Sequence, residues 1–191
     1  MVTTRAFVGI DAGTTGCTVM IFDERGRSLG HGYKEYPCIA PHPGWSEQDL
    51  GAVWQGICEA CSQATSAANL PAEAYKSVGL SSQRGTVAML DEDKQPLCNS
   101  YVWNCTRAID YQAKFEAEIS PEEHQKLTGM QLSPLWTAAK IAWFRDNQPA
   151  LFEKTHWFAN GQEYFIYKLG AEEWVTDPAS LTLNGMMDIA N

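Results

Sequence analysis

Asp11-Ala12-Gly13-Thr14-Thr15-Gly16 interrupts two apolar runs, Ala6 to Ile10 and Cys17 to Phe22. Runs of this kind read as strands, so the polar insert reads as the hairpin that joins them. Gly13 and Gly16 relax backbone limits and let an anion approach main-chain N–H groups. Thr14 and Thr15 add hydroxyl donors. Asp11, at the end of a buried strand, suits a hydrated divalent ion, because magnesium keeps several waters and takes few carboxylates. An ordinary glycine-containing hairpin with an Asx-type turn is the competing reading. The insert is not a Walker loop, since no Gly-Lys-Ser/Thr follows, and it is not G-x-G-x-x-G.

Cys58 and Cys61 form a C-x-x-C with no second pair nearby to complete a metal site. They fall on the apolar face of an expected helix, where core packing competes with metal or redox use. The other cysteines are scattered, which suits a reduced, cytoplasmic protein.

The elements that must hold the hairpin follow from pattern. Strands are expected at Ala6 to Ile10, Cys17 to Phe22 and Ser28 to Tyr36, with a turn at Asp23-Glu24-Arg25-Gly26. After the loop "PCIAPHPGW", Ser46 is expected to cap a helix, with Asp49 completing a capping box. Leu50, Val53, Trp54, Ile57, Cys58 and Cys61 recur at helical spacing. Tyr75 to Leu80 reads as a strand that breaks at "SSQRGT", with Val87 to Leu90 as its partner and "DEDKQP" as a turn. Helices are expected at Arg107 to Ile119, Pro121 to Leu127, from Pro134 through Phe144, and at Gln162 to Leu169. Trp157 to Ala159 is expected to be a strand. The order β-β-β-α-β, with helices later, predicts an α/β domain with a mixed sheet. No segment reads as a linker, and the tail "LNGMMDIAN" has no closing element, which suggests a piece of a longer chain.

The 191 residues carry a net charge of −9. That balance argues against nucleic acid and anionic membranes as partners but not against a nucleotide held by main-chain amides and a metal. No long apolar run suggests a signal peptide or membrane span.

"GIDAGTTG" followed by a strand, a turn and a third strand resembles the first phosphate motif of the actin, hexokinase and heat-shock chaperone ATPase superfamily. More narrowly, the chain resembles the N-terminal domain of the FGGY carbohydrate kinases. "PHPGWSEQD", "SSQRGTVAMLDEDKQPL", "YVWNCTR", "PLWTAAKIAWFRDNQPALF", "NGQEYFIYKLG" and "TDPASLTLNGMMDI" follow in the family's order. The resemblance implies an actin-like, ribonuclease H-like α/β domain with a mixed, five-stranded-type sheet and flanking helices. It implies phosphorylation of a small sugar or polyol by ATP with Mg2+, with a ketopentose as the first expectation and glycerol or gluconate as alternatives. It places Asp11 at the metal, Gly13, Thr14 and Thr15 at the phosphates, and Gln83, Arg84, Trp103 and Asn104 at the acceptor. Residue types agree with those roles: Arg and Asn donate to hydroxyls, and Trp offers an apolar face to C–H groups. A core aromatic is the competing reading of Trp103, and a surface ion-pair partner that of Arg84.

Two departures stand out. Family loops usually carry Arg or Lys where this chain has Thr18, so a charge-assisted phosphate contact is lost. Gly85 stands where glycerol kinases have Glu and xylulokinases His, which suggests fewer polar anchors and a bulkier acceptor. The catalytic base is expected beyond Asn191 and the adenosine site in a second domain, so the fragment alone is expected to be inactive; neither Asp177 nor Asp188 is promoted to the role. A homodimer is allowed for. A non-catalytic binding or regulatory protein that kept the fold is the alternative of another class. An actin-like filament or chaperone ATPase has no support from the acceptor-side motifs.

Overall fold

Alternation decides the first part of the chain. Cys17, Val19 and Ile21 are fully buried while Thr18, Met20 and Phe22 are half-buried, the period-two signature of a strand with one covered face. The computed structural model describes residues 4–189. Strands β1 (Ala6–Ala12), β2 (Gly16–Asp23) and β3 (Ser28–Glu35) form an antiparallel meander. A two-residue strand β4 (Glu47–Gln48) precedes helix α1 (Leu50–Ala68), and β5 (Tyr75–Ser82) then pairs in parallel with β1. The sheet order is β3-β2-β1-β5, a mixed sheet whose parallel pair is bridged by a helical crossover.

Glycines set the closeness of α1 to this sheet. A Cβ at Gly32 would stand 2.0 Å from the Ala60 carbonyl, and one at Gly30 2.2 Å from that of Ala64. The buried stripe of α1 is accordingly Leu50, Val53, Ile57, Ala60 and Ala64. Cys58, expected on that stripe, is exposed; the cysteines are free, and the described residues hold no cluster suited to a metal. Ser46 does not cap the helix: its carbonyl accepts from Val102 N–H beside β4, and the helix starts four residues later.

The chain continues through β6 (Ala88–Leu90), β7 (Ser100–Tyr101), α2 (Tyr111–Glu118), α3 (Pro121–Thr128), α4 (Thr137–Asn147), α5 (Pro149–Phe152), β8 (Trp157–Ala159), α6 (Gly161–Lys168) and α7 (Pro178–Thr182). β6 does not partner β5. It pairs with β8, Met89 opposite Phe158, because its three residues are all buried and need apolar cover. The main sheet therefore has four described strands rather than five. Core here is Val87, Met89, Tyr101 and Phe144, with Ile141, Trp143, Leu151 and Phe158 packed against it.

Two expected helices start late for visible reasons. Arg107 is drawn inward, and turns at Cys105, Ile109 and Tyr111 precede α2. Pro134 sits in a turn closed by Trp136 N–H to Ser133 C=O, and α4 follows at Thr137.

Composition marks no boundary, yet the chain divides into two compact units. Among the described residues the first comprises 4–38 and 51–83, the second 39–50 and 84–189. Among the described residues no helix is long and apolar enough to cross a membrane.

Candidate functional site

The hairpin of the first unit is held from beneath. Gly13 N–H donates to Gly16 C=O at 3.0 Å. The buried Tyr36 hydroxyl donates between the carbonyls of Gly13, at 2.8 Å, and Gly16, at 3.0 Å. Tyr36 N–H donates to Thr15 C=O at 3.2 Å. Burial pushes the Tyr36 hydroxyl pKa up, so this donor stays protonated across the working pH range. Nothing in the sequence marked Tyr36 for this task. Gly16 is needed for space rather than torsion: a Cβ there would meet the Lys34 carbonyl at 2.9 Å.

Asp11 lies one register step before the hairpin, opposite Thr18 on β2 and Ser81 on β5. Paired residues share a sheet face, and all three line one open depression of about 470 Å³. Gly9 and Gly79, themselves paired, floor it. Asp11 is exposed and points away from the face covered by α1, which carries Cys17 and Val19. The carboxylate is thus free to take a hydrated cation. An exposed Asp at a strand end beside an amide-rich hairpin is a donor set that suits magnesium, which needs few protein ligands. Thr15 is exposed as well, and Thr14 half-buried.

Gln83 belongs with this hairpin. Its N–H donates to Ala12 C=O at 3.0 Å, and its side-chain oxygen accepts from the Thr14 hydroxyl at 2.9 Å. The structure therefore places Gln83 as a brace on Thr14.

Arg84, Trp103 and Asn104 lie in the second unit and come together there. Val87 and Tyr101 exchange both backbone hydrogen bonds at 2.9 Å. Two residues on, Gly85 faces Trp103, with 3.4 Å between a Cβ built at Gly85 and that of Trp103. Arg84, Trp103 and Asn104 are exposed, Trp103 by 48%, so Trp103 is no core aromatic. The Arg84 guanidinium donates to Ala179 C=O at 3.2 Å rather than to a carboxylate. Gly85 is buried at φ +71°, a conformation that itself favours glycine, and Leu183 borders the space beside it. The missing side chain therefore opens less room than its absence suggests.

Two buried cations underlie these loops, and sequence reasoning gave neither a role. Arg107, the last residue of "YVWNCTR", has a fully buried side chain. It pairs with Glu47 at 2.6 Å and lies over the rings of Tyr101, Trp45 and Trp143 at 3.4, 4.2 and 5.0 Å from their centroids. Lys140, the last residue of "PLWTAAK", is fully buried and donates to the carbonyls of Gly85 at 3.0 Å and Trp103 at 3.1 Å. Asp177 caps α7, accepting from Ser180 N–H at 3.0 Å. Its environment is that of a structural cap: bonds from the Ser180 hydroxyl and the Gln162 amide hold its carboxyl below the usual range.

A four-stranded mixed sheet with a helical crossover, opened by a Gly/Thr hairpin next to a strand-end Asp, agrees with an actin-like α/β fold. The solved structures agree. Xylulose kinase from Rhodospirillum rubrum superposes with a TM-score of 0.90 at 23% identity, over 97% of this chain and 38% of that one. Glycerol kinase from Plasmodium falciparum with ADP gives 0.88 at 25% identity, over 98% and 38%. The chain belongs to the FGGY family of carbohydrate kinases, whose N-terminal domain matches residues 6–191. It is 31% identical over 189 residues to the glycerol kinase of Thermococcus onnurineus, 97% of this chain and 38% of that protein. The chain thus spans well under half the length of the curated relatives it matches.

Proposed function

We propose that these residues are the N-terminal region of a longer, ATP-dependent kinase that phosphorylates a hydroxyl of a small sugar or polyol. The observation that carries this reading is the exposed Asp11 beside a braced hairpin, in a family of carbohydrate kinases. Asp11 would hold a hydrated magnesium ion, and Gly13, Thr14 and Thr15 line the phosphates, with Thr15 offering donors while Gly13 N–H stays on Gly16 C=O and the Thr14 hydroxyl on Gln83. Bound there, ATP with its metal supplies the phosphoryl group and neutralises its charge. Arg84 and Asn104 donate to acceptor hydroxyls, and Trp103 covers the C–H face. The acceptor oxygen bonds to the terminal phosphorus as the bridging P–O bond breaks. The electron pair leaves with ADP, and the hydroxyl proton passes to a base outside these 191 residues. Alone, the chain binds phosphate weakly and turns over no ATP.

A ketopentose is the acceptor first expected from the "PHPGWSEQD" and "PLWTAAK" stretches. Glycerol is the second reading, supported by the glycerol kinases among the relatives. The test is the full-length protein screened with pentuloses, hexuloses, polyols and aldonates, with ADP release as readout. Turnover with a pentulose above all others supports the first reading, and preference for glycerol replaces it with the second. No turnover on any acceptor sinks the kinase assignment and favours a binding protein that kept the fold. Turnover by the 191-residue chain alone overturns the claim that it is incomplete.

A further inference from the structure

Lys140 is out of place by composition. It sits on the buried side of α4 with Thr137, Ala139 and Phe144, and its side chain is cut off from water. Among the described residues its partners are two carbonyls, of Gly85 and Trp103, rather than a carboxylate. Burying an ammonium group against neutral dipoles is costly, and an apolar side chain of the same volume packs such a position more cheaply. The cost calls for a return elsewhere. Gly85 directly follows Arg84, and Trp103 directly precedes Asn104. The Gly85 backbone is in the left-handed region, and Arg84 and Asn104 are exposed side chains on short connecting segments. Left to themselves, such segments sample several conformations.

We propose that Lys140 is a positioning residue for the acceptor: by donating to Gly85 C=O and Trp103 C=O at once, it locks the two segments into one frame that aims Arg84, Trp103 and Asn104. This rests on the reading of those three residues as the acceptor side. A binding group displaced by about 1 Å loses much of its effect, which is why a shared anchor for two loops matters.

The test is steady-state kinetics of Lys140→Met and Lys140→Gln in the full-length protein, on its best acceptor. Met keeps the volume and removes both donors; Gln keeps two N–H donors on a shorter stem. Lys140→Met is expected to raise KM for the acceptor by about 10- to 100-fold while KM for ATP stays within about twofold, with Lys140→Gln recovering part of the loss. Phe144→Leu, an equally buried change on α4, is the control: it lowers the melting temperature and leaves the acceptor KM in place. If Lys140→Met does not fold, Lys140→Gln carries the same comparison. Amide exchange at residues 84–86 and 102–105 is expected to quicken in either variant. A wild-type kinase whose variants keep the acceptor KM, or raise both KM values together, overturns the role of Lys140. A wild-type protein that phosphorylates nothing overturns the kinase reading itself.

Discussion

The hairpin at residues 11–16 and the paired segments around Arg84 and Asn104 hold their functional groups by different means. In the first, main-chain pairing does nearly everything: Asp11 is fixed by register between β2 and β5, and one tyrosine hydroxyl braces the turn. In the second, side chains from distant positions reach in. Glu47 anchors Arg107, and Lys140 anchors Gly85 and Trp103. The chemistry expected of each explains the contrast. A phosphate is gripped by backbone amides, which a short contiguous stretch can present by itself. Hydroxyls are recognised by aimed side chains, and aiming needs supports that the local sequence cannot provide.

Asp11→Asn tests the first mechanism most sharply. The side chain is exposed, so the melting temperature is expected to move little, while kcat of the full-length protein falls by about 10²–10³-fold. A fall in stability with unchanged kcat would make Asp11 an ordinary hairpin residue. Arg107→Met tests the second mechanism. It leaves Glu47 without its cation and is expected to cost about 3 kcal/mol in urea unfolding, at the low end for a buried pair because Glu47 keeps some solvent access. Glu47→Gln in the same chain should return part of that loss; a cost that stays the same in the double variant assigns the effect to aromatic packing instead.

What the sequence made legible follows the same division. The meander, its turn at Asp23 and the parallel strand β5 were read from alternation, because pairing of neighbouring strands is written locally. Trp157–Ala159 was also read as a strand. The pairing of β6 with β8 was not, since partners nearly 70 positions apart leave no local trace. The actin-like fold and the family were legible from six motifs in order, and Asp11 is exposed near the end of its strand. Gln83, expected at the acceptor, accepts from the Thr14 hydroxyl, a contact that no local pattern announced. Tyr36, Arg107 and Lys140 were missed as supports: a buried tyrosine, arginine or lysine looks in sequence like any surface residue of its type. Ser46 and Cys58 failed for the opposite reason, because tertiary pairing at β4 and the small-residue stripe on α1 overrode good local signals.

Alkaline pH separates the two regions by sign. Burial lowers the Lys140 pKa from 10.5 to about 8, with Arg107 pushing the same way and Cys105 opposing. The folded chain then releases this proton before the unfolded one does, so the Lys140 contribution to stability rises from about pH 8 to about pH 10.5 and is lost as pH falls through 8. Burial raises the Cys17 thiol from 9.0 to about 12, with smaller pushes from Cys61 and Asp11. Here the folded chain keeps its proton longer, so that contribution is whole below about pH 9 and is lost above it. The urea midpoint of Lys140→Met relative to wild type should therefore improve most below about pH 8 and progressively less up to about pH 10.5. Cys17→Ala should flatten the decline above about pH 9. Parallel curves for either variant and wild type would remove that group from the account.

The smallest expected effect asks how far main chain and metal suffice at the hairpin. Thr18 faces the same depression as Asp11 and lies directly opposite it, with Tyr33 on its other side. An arginine at this position has two partners within reach of its fork: a phosphate oxygen of the nucleotide or the Asp11 carboxylate. Because Asp11 is exposed, an ion pair with it is worth at most about 1 kcal/mol, whereas a charge-assisted bond to phosphate is stronger and bidentate. Thr18→Arg in the full-length protein is therefore expected to tighten ATP by about fivefold to tenfold, read by titration with the nucleotide and magnesium. The two partners are told apart by kcat: an arginine on the phosphate leaves it unchanged or higher, and one on Asp11 lowers it by competing with the metal. No gain in ATP affinity would show that the amides of the hairpin and the metal already saturate the phosphate's demand, and that Thr18 withholds nothing.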